Sequence, residues 1–176
     1  MFVLGLGYII LLFYLHYQSQ ARVGEIFGGN RGVALLKHAD KVEAFRIGKI
    51  ADTLRWPDVL LTDYPIQAGP MPVSPSDTKL LVDTLLDEKS YYWNAAKACI
   101  PQPGVRIDFS RGDQTLSILL CFECEILETY LNGKSASGQN FEYAQPTLVR
   151  IARKLFPNDP KIQSLTEEEF TPPQAK

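Results

Sequence analysis

The residues of this chain best suited to chemistry are three cysteines, three clustered glutamates and one histidine. Cys121 and Cys124 form a C-x-x-C pair, and Cys99 lies upstream of them. Such a pair serves as a redox couple, as half of a zinc site, or as two structural cysteines. Redox use needs adjacent sulfurs and a lowered thiol pKa, usually at a helix N-terminus. Here Cys121 ends an apolar strand-like run, and strand-like sequence follows Cys124. In an extended chain, residues three apart sit about 10 Å apart, beyond the roughly 7 Å Cα limit for a disulfide. A local bond would therefore need a turn at Phe122-Glu123, which neither residue favours. Glu123 and Glu125 would also oppose thiolate formation by their charge. Zinc would need four ligands, so His38 or a carboxylate would have to join the cysteines, and no glycine follows Cys124 to shape a knuckle. Two structural readings remain. One is a disulfide from Cys99 to Cys121 or to Cys124, suited to an exported domain; the other is buried free thiols.

Other patterns are incomplete. Gly133-Lys134-Ser135 resembles the end of a phosphate loop, but that motif requires glycine at position 128, where this chain has Glu128. The segment reads as a hairpin turn instead. Gly28-Gly29-Asn30-Arg31-Gly32 has no preceding strand and lacks dinucleotide spacing. His16 lies in an apolar segment, so a nucleophile–histidine system would have to use His38, and no local pattern supports that. Glu123, Glu125 and Glu128 could hold a catalytic pair, but on a strand Glu123 and Glu125 simply share a face turned to solvent. Tyr91-Tyr92-Trp93 reads as core or sheet cover. No catalytic, cofactor-binding or metal-ligating residue is assigned, no cofactor is implied, and enzymatic activity is not expected.

The elements that must position these residues follow from periodicity. Leu35, Leu36, Ala39 and Val42 are near helical spacing, and alternation then marks a first strand over Val42 to Ile47. Five prolines between Trp56 and Pro75 leave room for at most an edge strand near Tyr64 to Gln67. Ser74 is an N-cap with Pro75 at the first helical position and Asp77 three residues after the cap. The helix it starts runs to about Glu88, with Leu80, Leu81, Thr84 and Leu85 as one stripe. Val105, Ile107 and Phe109 alternate with Arg106 and Asp108 as a half-buried strand. Leu116 to Phe122 is apolar on both faces and reads as a central strand. Glu125 to Leu131 continues as a third strand and stops at the Asn132-Gly133 turn. A last helix, Pro146 to Phe156, presents Leu148, Ile151, Ala152 and Leu155. The expected fold is α+β: an antiparallel sheet, with a C-terminal three-stranded meander, packed with two to three helices.

Composition and the N-terminus bound the class. Among 176 residues, 45% are hydrophobic and 22% charged, which suits one globular domain with a real core. A net charge of -2 and no Lys/Arg run argue against nucleic acid as a partner. The first 21 residues carry no Asp, Glu, Lys or Arg, and the run from Phe2 to Leu15 is apolar throughout. It fits the apolar centre of a secretory signal, with Ser19-Gln20-Ala21 as a small-x-small site, although a basic start is missing. It could also be kept as a membrane anchor with Tyr14 and Tyr17 at the interface. The membrane is thus the expected partner; no protein partner is implied. Basic residues after the segment argue for a cytoplasmic domain if it is retained, whereas cleavage places the domain outside. Export is the favoured side. The expected organisation is a signal or anchor over 1–21, a flexible linker over 22–32, one domain over 33–165 and a disordered tail over 166–176.

The series Cys99-Ile-Pro101-Gln-Pro103-Gly104-Val105, then Phe109, Leu120-Cys121-Phe122-Glu-Cys124 and Phe156-Pro157-Asn-Asp159-Pro160 resembles a group of bacterial proteins with no known activity. The likeness covers about the C-terminal 80 residues and, more weakly, Val42 to Arg46. It implies export or membrane attachment, as several members look, and one shared structural unit holding Cys99, Cys121 and Cys124. This chain departs from the group in its targeting segment, which lacks the basic start. The function expected is that of a non-enzymatic, exported or membrane-attached domain, with a thiol–disulfide or metal-binding role for the three cysteines as the alternative.

Overall fold

The computed structural model describes residues 18, 20–51, 59–93, 97–168 and 170–171. Six strands form one antiparallel sheet: β1 (Lys41–Ile47), β2 (Ile66–Pro72), β3 (Val105–Arg111), β4 (Gln114–Cys121), β5 (Ile126–Leu131) and β6 (Lys134–Asn140). Their spatial order is β2-β1-β3-β4-β5-β6, so β3 to β6 make a meander of four strands rather than three. The added strand, β6, has the sequence KSASGQN and is largely exposed. An edge strand that buries little needs no apolar alternation, which is why periodicity missed it. The turn before it is a tight one: Asn132 and Gly133 have φ of 51° and 77°, the left-handed pair that matches the twist of a hairpin. At the opposite edge, β2 is exposed along its whole length and carries Pro70 and Pro72, residues that only an edge accommodates.

Four named helices accompany the sheet: α1 (Asn30–His38), α2 (Pro75–Leu86), α3 (Gln145–Leu155) and the short α4 (Pro160–Gln163). A fifth helical segment covers residues 20–26. The expected α+β class holds, with more helices among the described residues than periodicity located. In α2, Ser74 Oγ accepts from Asp77 N at 3.1 Å. Its buried face is narrower than the expected stripe: Leu81 and Leu85 are buried, whereas Leu80 is 38% exposed. In α3 the four expected positions are buried, and Val149 joins them.

The glycine-rich stretch 22–32 is not a flexible linker. Val23, Ile26 and Phe27 are buried in the main core, and α1 begins at Asn30. Gly32 is required by close approach: a Cβ there would sit 1.6 Å from the Phe27 carbonyl oxygen. Gly28 and Gly29, with φ of 78° and 76°, make the turn between the 20–26 segment and α1. Of the expected signal or anchor over 1–21, residues 1–17 and 19 lie outside the described residues, as do 169 and 172–176 of the expected tail. None of the described helices is long and apolar enough to cross a membrane.

The two faces of the sheet are used differently. Alternate residues such as Ala44, Ile107, Phe109, Ile118 and Leu127 pack under the helices in the large core. On the other face a smaller cluster gathers Phe45, Ile47, Val59, Tyr64, Leu119 and Tyr130. Beside it, Arg106 pairs with Asp108 at 3.1 Å and stacks 4.3 Å above the Phe45 ring.

Candidate functional site

The three cysteines meet at one end of the sheet, where the loop leading to β3 crosses the β4–β5 connection. Cys99 and Cys124 form a disulfide with Cα atoms 6.1 Å apart, well within the range such a bond requires. Cys121 is free and buried at the end of β4. Its sulfur accepts a hydrogen bond from Gln102 N at 3.2 Å. Of the two pairings left open by the sequence, the chain takes the longer one. Residues 122–125 do form a turn, with Glu125 in the left-handed region at φ 53°. That turn corrects the extended conformation expected there, and it aims Cys124 at the 97–104 loop rather than at Cys121.

A partly buried ion cluster reinforces the same junction. Lys97 Nζ lies 2.7 Å from Glu125 Oε2 and 2.9 Å from Glu142 Oε1, and donates to the Cys124 carbonyl at 2.7 Å. The Glu142 side chain is fully buried, so Lys97 supplies the positive charge that makes its carboxylate tolerable there. Burial opposes the charge on Lys97, but its contacts with Glu125 and Glu142 outweigh that and raise its pKa. No spacing pattern announces Glu142, which is held by a short helical turn before α3.

The three clustered glutamates separate. Glu123 is exposed and pairs with Lys161 at 2.7 Å; Glu125 pairs with Lys97. Both sit in the turn, so the shared strand face expected for them does not exist. Glu128, on β5, is 7% exposed and accepts from the Tyr64 hydroxyl at 3.3 Å. His38 stands in the last turn of α1, just before Lys41, which pairs with Ser110 at the far end of β3. Cys121 instead follows Leu120, whose partner Val105 begins β3. The histidine and the cysteines are thus at opposite ends of the sheet. In the aromatic cluster, Tyr91 is buried and donates to the Leu85 carbonyl. Trp93 donates to the Glu88 carbonyl at 3.1 Å and carries the Arg22 guanidinium 3.9 Å above its ring.

Next to the disulfide, on the sheet face away from the main core, lies a cavity of about 480 Å³. Ile100 and Pro101 of the braced loop form one wall, Ile126, Glu128 and Tyr130 of β5 the floor, and residues 135–138 of β6 the other side. Burial and then the Glu128 charge raise the pKa of the Tyr64 hydroxyl, and the same causes push Tyr130 up to about 12. Both phenols are therefore protonated donors at neutral pH. Among the described residues, no group of three His, Cys, Asp or Glu is arranged to hold a metal ion. No protein-family model matches this chain, and comparison with curated proteins and with solved structures finds no match.

Proposed function

We propose that this chain is a non-catalytic binding domain, exported or held at a membrane by its N-terminal apolar run, whose disulfide braces the wall of a ligand cavity. The Cys99–Cys124 pair carries the reading, because such bonds persist in oxidising compartments and are rare elsewhere. It favours the extracytoplasmic side, on which a cleaved signal would also leave the domain. The charged residues around the cysteines are engaged in holding the 97–104 loop: Lys97 bridges Glu125 and Glu142. That arrangement supports a structural role for the cysteines.

Thiol counting on the full chain, purified without reductant, tests the reading. One alkylatable thiol, reactive only after denaturation, is the expected result, since Cys121 is buried. Reduction should expose two more. Three free thiols in the untreated protein, or stoichiometric zinc, would transfer support to the thiol or metal-binding alternative.

A further inference from the structure

A second cavity lies where the end of β1 and β2 meet residues 102–104, and we propose that it binds a small dissolved tetrahedral oxyanion of the phosphate type. This goes beyond the reading of the chain as a binding domain, because the cavity shares no described lining residue with the one beside the disulfide. Its volume of about 200 Å³ is below that of drug-sized sites and suits a ligand of a few heavy atoms.

Arg46 carries the inference. It lines the cavity and is only 8% exposed. Its Nε donates to Asp159 Oδ2 at 2.7 Å, and its Nη1 donates to the Ile47 and Gly104 carbonyls. A guanidinium has five N–H donors, so the two on Nη2 are left without a partner among the described residues. Nη2 is not sealed from solvent; the side chain reaches it at this cavity and at a smaller recess beside it. Three hydrogen bonds thus fix a charged group whose last two donors are open, an orientation that an arriving anion need not impose.

Further donors come from other elements. Gln67 of β2, Gln102 of the loop and Lys161 of α4 line the same space. A Cβ on Gly48 would lie 2.8 Å from Gln67 Nε2, and one on Gly104 would lie 3.0 Å from Arg46 Nη1. Both glycines therefore leave the donors their room. No Asp or Glu stands among the described lining residues. Asp159 balances Arg46 from outside the cavity, and Glu123 of the adjoining recess pairs with Lys161. That second pair is more than half exposed on both sides, so parting it costs little. Lys49 also lines the cavity and has a partner of its own. A planar carboxylate is gripped best by two parallel N–H groups of one arginine, and Asp159 already holds Nε. Donors arriving from separate elements suit an anion with oxygens on several sides.

The test titrates the full chain with inorganic phosphate, acetate and tetramethylammonium at constant ionic strength, following backbone amide shifts by NMR. Saturable shifts from phosphate, centred on 46–49 and 102–104, are expected. Acetate should bind at least about tenfold more weakly, the worth of one hydrogen bond to a charged group, and the cation should not bind. Arg46→Lys should weaken phosphate by at least about tenfold. Gln102→Glu, at an exposed position lining the cavity, should abolish binding with the fold intact, and it decides the matter should the Arg46 variant not fold. Equal binding of phosphate and acetate, shifts centred elsewhere, no saturation, or undiminished binding by Gln102→Glu would overturn the proposal. A silent phosphate titration with one disulfide present removes the anion site alone.

Discussion

At the scale of single residues, the start of α2 shows how a local signal and a distant contact combine. Ser74 caps the helix through Asp77 N, as its spacing indicates. Asp77 is then claimed by Lys154 of α3, whose Nζ lies 2.6 Å from Oδ2. The hydrogen bonds from Lys154, and then from Ser74, hold the Asp77 carboxyl below its usual pKa of 3.8. A folded-state pKa below the unfolded one adds stability that is complete above the unfolded value and lost as pH falls through the folded value. Asp77→Asn should therefore cost up to about 1 kcal/mol at neutral pH, Lys154 being largely exposed. The gap from the parent chain should close as urea denaturation is repeated at pH values below 3.8; a gap constant down to the lowest pH would contradict the assignment. The cap was legible because it is a three-residue pattern. Lys154 was not, because 77 residues separate it from Asp77.

At the scale of elements, the strands that bury an alternating face were readable, whereas β6, which buries little, was missed. Val105, Ile107 and Phe109 of β3 are all buried, and their alternation with polar residues is what periodicity detects. In β6 the hydrogen-bonded ladder to β5 does the work instead. Its register begins at the Asn132-Gly133 turn, which the sequence did announce. Gly133 has φ 77°, and a Cβ there would meet nothing within 4 Å. Gly133→Val should thus destabilise through backbone conformation alone, by about 1–2 kcal/mol, without a steric clash. Chemical denaturation measures the loss, and an unchanged midpoint would show that β6 does not depend on this turn.

At the scale of the whole molecule, the loop before β3 is joined to the β4–β5 turn three ways: by the disulfide, by Lys97 and by the Gln102–Cys121 hydrogen bond. The disulfide closes a loop whose ends are 25 residues apart. Replacing Cys99 and Cys124 by serine should lower stability by about 3.5 kcal/mol, the chain-entropy worth of a loop of that size. Hydrogen exchange should then rise over residues 97–104 while β3 and β4, in the middle of the sheet, keep their protection. Uniform loss of protection would mean that the bond holds the entire fold rather than the cavity wall. The apolar run from Phe2 to Leu15 belongs to this scale as well, since the targeting role proposed for it and the disulfide would bear on the same question of compartment.

By itself the sequence determined the α+β class, most element positions, the α2 cap, the β5–β6 turn and the short list of cysteines from which a bond could form. These follow from local rules, in which each residue's neighbours within a turn or a strand carry the information. Tertiary structure alone decided that Cys99 pairs with Cys124, that residues 22–32 fold into the core, and that Glu128 lines the cavity beside the disulfide while Glu123 and Glu125 pair with Lys161 and Lys97. Each depends on which distant segments pack together. Backbone satisfaction and burial across the whole sheet select that packing, and no short window of sequence contains it.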